Sequence, residues 1–78
     1  MINAKSIKEH MEVLGSDGQH VGAVDHLDGK DKIKLTKSDL TAGGQHHVIP
    51  LSWVAKVDGQ IHLSKPAKDA MAQWQAAA

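Results

Sequence analysis

The sequence predicts a mainly β fold: a small, partly closed antiparallel barrel of about six short strands with a short C-terminal helix. Three observations carry this. Short apolar/polar segments alternate with a period of two, as half-buried strands do. Gly-containing turns separate them, Asp17-Gly18, Asp28-Gly29 and Asp58-Gly59 among them. After Leu63 the apolar spacing changes from that of a strand to that of a helix.

His10 to Leu14 alternates roughly and reads as the first strand, ended by Gly15-Ser16-Asp17-Gly18. The next run, Gln19 to Leu27, places Val21 and Val24 three apart with Gly22 between them. A regular strand cannot bury both. One extra residue, a β-bulge near Gly22, resets the alternation and bends the strand as barrel closure requires. Asp28-Gly29-Lys30-Asp31 turns the chain. Lys32 to Lys37 then alternates strictly, with Ile33 and Leu35 inward and lysines outward. Ser38 to Gly44 is a polar loop. Gln45 to Ile49 is a strand that stops at Pro50, which has no N–H to donate. Leu51 to Val54 forms a tight turn into Ala55-Lys56-Val57, and Gln60 to Leu63 closes the set.

The strands thus span about 10–63, and a helix is expected over about 65–76, all within one domain of residues 1–78. Ser64 is positioned to cap that helix, and Pro66 lies near the first turn, where proline is tolerated. Ala67, Ala70, Met71 and Trp74 form one apolar stripe. Gln75 to Ala78 is expected to fray, and Trp74 either plugs a barrel end or packs on a partner.

Three segments carry a resemblance. Val13 to Asp25 looks like the opening hairpin of the PRC-barrel superfamily, and His47 to Val54 looks like its Ile-Pro-Leu segment. Asp58 to Leu63 looks like its closing strand. The likeness runs over about positions 11–63, and more narrowly the chain resembles short bacterial proteins catalogued as a domain of unknown function. It implies a docking or scaffold module and supplies no catalytic residues or cofactor.

Composition excludes several classes of function. Nine acidic and nine basic residues balance, so no net field favours nucleic acid or an anionic membrane. Every base is Lys, which removes the bidentate phosphate and guanine contacts of Arg. Phe and Tyr are absent, leaving only Trp53 and Trp74 to stack on a base. Cys is absent too, so neither a disulfide nor a thiolate metal site is available. The first residues lack the apolar run of a secretory signal, and a cytoplasmic location is expected.

Six His are the compositional oddity. His20, His26, His46 and His62 are the metal-ligand candidates, with Asp25 or Asp28 completing a set across strands. Spacing does not favour that set: His46 and His47 on a strand point to opposite faces, and a closed zinc site needs four ligands. Solvated or interface histidines are the preferred reading. Lys30, Lys32, Lys34 and Lys37 form either an anion-binding strip or a charged edge strand that resists aggregation; flanking Asp28, Asp31 and Asp39 favour the latter. Ser16, Asp17 and His20 lie close in a turn but make no nucleophile elbow, and Gly43-Gly44 lacks the Lys-Ser/Thr of a phosphate loop. An enzyme is not expected. Leu40, Val48, Leu51, Trp53 and Trp74 exceed what so small a core needs. They point to an interface centred on Trp53, Trp74 and Met71, with a homodimer or another protein as partner.

Overall fold

The computed structural model describes residues 6–29, 31–38 and 44–77. Leu40, Lys30, Asp39 and Gly43 lie outside them. Within them the chain forms strands β1 (Glu12–Leu14), β2 (His20–Asp28), β3 (Lys32–Leu35), β4 (His46–Pro50), β5 (Val54–Val57) and β6 (Ile61–Leu63), helix α1 (Ala67–Gln73) and strand β7 (Gln75–Ala77). A 3-10 turn over Leu51–Trp53 joins β4 to β5. The seven strands form one sheet in the order β5-β6-β1-β2-β3-β4-β7. All pairings are antiparallel except β1 with β6. The sheet is not closed, as expected of a partly closed barrel, and its edges are β5 and β7.

The bulge inferred from Val21 and Val24 is present. Val13 pairs with Gly22 and Leu14 with His20, so Val21 is the extra residue, and both Val21 and Val24 are buried. A second irregularity follows at Asp25, between the pairs Val24–Leu35 and His26–Lys34. Two such kinks in one nine-residue strand bend it enough to serve both halves of the sheet. The core gathers one face of every long strand: Val13, Val21, Val24, Ile33, Leu35, Ile49, Ile61 and Leu63 are each at most 1% exposed.

The C-terminal region departs from expectation in three ways. Ser64 does not cap the helix; its N–H donates to the Trp53 carbonyl at the end of β6. Pro66 takes the N-cap position, and α1 spans Ala67–Gln73 rather than 65–76. Having no N–H and no side-chain acceptor, Pro66 leaves the first helical donors to a remote residue. Asp17 Oδ1, in the β1–β2 turn, accepts the Ala67 N–H at 3.3 Å. The Ser16 N–H donates to the Lys65 carbonyl at 2.9 Å, so the turn grips the helix start twice. Finally, residues 75–77 do not fray. Trp74 is extended (ψ 158°), and the chain turns out of the helix to pair antiparallel with β4, giving seven strands rather than six. Among the described residues, no helix is long and apolar enough to cross a membrane.

Candidate functional site

Strict alternation decides what β3 and β4 present to solvent. Ile33, Leu35, His47 and Ile49 turn inward. Lys32 and Lys34 therefore lie outward, and the register sets them beside Pro50 and Val48. Val48 in turn pairs with Gln75 of β7. Pro50 ends the ladder and starts the 3-10 turn, which swings Trp53 over this outer face. The result is an open groove of about 280 Å³ lined by Lys32, Val48, Pro50, Trp53, Gln73 and Gln75. Val48, Pro50 and Trp53 supply an apolar surface; two amides and one ammonium supply the polar rim. Lys65 Nζ stands 3.9 Å from the Trp53 ring centroid and donates to Gln73 Oε1 at 3.0 Å. That cation–π contact orients the indole from one side. The volume is just below the usual ~300–1,000 Å³ of small-molecule sites, about right for one or two side chains.

The histidines do not converge. His20 Nδ1 lies 2.9 Å from Glu12 Oε2, and Glu12 Oε1 accepts from Gln60 Nε2 at 2.7 Å. His26 Nδ1 pairs with Asp25 Oδ2 at 2.9 Å on the exposed surface. His62 Nε2 meets Asp58 Oδ1 at 2.8 Å, with Lys56 Nζ 3.5 Å from the other oxygen. The hydrogen bond from His62 is the main cause that holds the Asp58 carboxyl below its usual range; desolvation opposes it, and the charges of His62 and Lys56 add to the lowering. His46 Nδ1 lies 3.0 Å from the Leu35 carbonyl, which can only accept, so this nitrogen carries the proton. Among the described residues, no three His, Asp or Glu side chains stand together as a metal would need.

His47 is the exception in kind. It points inward, as its alternation with Ile49 requires, and is 8% exposed. Its ring stacks on Trp74 at 3.9 Å between centroids and 13° between planes, and Nδ1 is buried without a hydrogen-bond partner among the described residues. Burial lowers its pKa, because the imidazolium would lose its hydration. Of the three residues read as an interface, Trp74 thus faces inward onto His47, while Trp53 lines the outer groove. Met71 is half-buried against the core. The reach of Lys65 over Trp53 and the cap from Asp17 are side-chain contacts that sequence spacing does not encode. The burial of His47 was encoded, in its i, i+2 relation to Ile49.

An open seven-stranded sheet around a small aliphatic core, with a solvent-facing tryptophan groove, defines a small β module. Residues 7–71 match the family described as an uncharacterized protein conserved in bacteria (DUF2171), and the chain belongs to that family. No curated protein matches it.

Proposed function

We propose that this chain is a non-enzymatic, PRC-barrel-like module that self-associates through the β7 edge of its sheet. The observation that carries this reading is the contrast between the two edges. β5 is guarded by a bulge between Val54 and Lys56 and by the Lys56–Asp58 pair, devices that deter edge pairing. β7 reads Gln-Ala-Ala, with no charge, no Pro and no irregularity against β4. An antiparallel strand related to itself by a two-fold axis is self-complementary. Copies of zero net charge do not repel one another, and a core this small gains from a partner.

Sedimentation velocity over a concentration series tests this. The mass should rise toward two copies with the parent chain. Ala76→Lys, which sets a cation on the exposed inner side of the edge, should hold it at one copy without changing the fold. A one-copy mass for the parent chain at every concentration refutes the proposal.

A second reading, a pH-responsive binding protein, draws on His47 alone. Its ring sits between β4 and the Trp74 junction that leads into β7, so its protonation is positioned to loosen that edge. Association that weakens as pH falls in the parent chain, but not in His47→Leu, would favour it.

A further inference from the structure

We propose that the Trp53 groove is a docking site for an acidic, apolar-anchored segment of a different protein. The groove lies on the face of the sheet, whereas β7 pairing uses its edge, so this inference stands independently of self-association.

The argument is one of charge and size. Lys32 lines the groove, and Lys34 is two residues along β3 on the same outer face. Among the described residues, neither lysine forms an ion pair. Asp28 stands opposite Lys32 across the β2–β3 pair without closing to bridging distance. Lys65 adds a third ammonium, held above Trp53. Among the described residues, no Asp or Glu lines the groove. In a chain whose total charge is zero, this is a local cationic field around an apolar hollow.

The hollow has room for about one or two apolar side chains. Its walls are an indole, a proline ring and a valine, which bind by apolar burial and stacking. Gln73 and Gln75 offer amide donors and acceptors at the rim, suited to a peptide backbone. The complementary occupant is an apolar side chain flanked by carboxylates. A second copy of this chain is a poorer fit, because a symmetric contact on this face sets Lys32 and Lys34 against their own counterparts.

The probe is a capped pentapeptide, Glu-Glu-Leu-Glu-Glu, titrated into the ¹⁵N-labelled full chain at low salt. Its controls replace every Glu by Lys, or Leu by Gly. The acidic leucine peptide should shift the Trp53 indole N–H and the Val48 and Gln75 amides, and its binding should weaken as salt rises. The lysine peptide should not bind, and the glycine peptide should bind more weakly. Reversing both lysines (Lys32→Glu with Lys34→Glu) should weaken binding roughly tenfold, as expected for exposed charge pairs turned repulsive. Gln73→Glu, at an exposed helix end, should weaken it without touching the core. No shifts with the acidic peptide, equal binding of the lysine peptide, or shifts that survive the double reversal each overturn the proposal. So does loss of self-association in the double reversal, which would assign the groove to a second copy.

Discussion

Gly15→Ala tests how the hairpin turn and the helix are joined. The backbone of Gly15 does not adopt a positive φ, so a side chain is excluded there by space rather than by conformation. A Cβ on Gly15 would stand 2.2 Å from the Ala67 nitrogen, 2.8 Å from its Cα and 2.8 Å from Asp17 Oδ1. Two of these atoms are backbone and the third is the helix cap, so no flexible side chain can yield. The helix start must move outward by roughly 1 Å to reach ordinary contact distance. Overpacking of this kind costs about 1–3 kcal/mol. The shift also stretches the Ser16–Lys65 and Ala67–Asp17 hydrogen bonds, each worth about 1 kcal/mol net. The sum, about 3–5 kcal/mol, is most of the stability a domain of this size commands. Urea unfolding followed by circular dichroism should show it as a large fall in midpoint or as an unfolded chain. Gly18→Ala is the control: Gly18 has φ 78° and open space around its Cβ position, so only left-handed strain of about 1–2 kcal/mol applies. A Gly15→Ala loss smaller than that of Gly18→Ala would refute the steric account.

Other outcomes follow from the same geometry. Asp17→Ala removes the remote cap and should destabilise the chain by about 1 kcal/mol, with faster amide exchange at Ala67 as the specific sign. Stability should fall as pH drops below about 6.5: the unfolded chain protonates His47 there, while the folded one resists until its lower folded-state pKa is reached. His47→Leu should flatten that limb of a denaturation-midpoint profile, leaving the stability at higher pH dependent on packing alone.

Much of the sheet was legible because its cause is local. The three-residue interval between Val21 and Val24 demanded a bulge, and the alternation of Lys32 to Leu35 fixed which face was wet. The adjacency of His46 and His47 sent them to opposite sides. What could not be read depends on residues far apart in the chain. Asp17 caps a helix fifty positions away, so Ser64, the nearer capping residue by type, was the natural but mistaken choice. Gln75 to Ala77 is too short to show a period and is ordered by the pairing edge of β4. The candidate site was legible only in fragments. Trp53, Lys32 and Lys34 were each conspicuous, but the 3-10 turn that brings the indole over the β3–β4 face depends on how Pro50 ends the strand. The four candidate histidines looked alike in sequence and acquired separate acceptors only in the fold.

The parallel pairing of β1 with β6 and the late arrival of β7 constrain the order in which this protein can be made. As a nascent chain leaves the ribosome, β1 to β4 can form consecutive hairpins at once. Yet β1 waits for residues 61–63 to cover its other side, and β4 waits for residues 75–77. Until then both flanks of the growing sheet are open, with His47 lacking its indole lid. A stalled or clipped chain ending before Trp74 would therefore be not a slightly shorter version of the protein but a two-edged, adhesive intermediate.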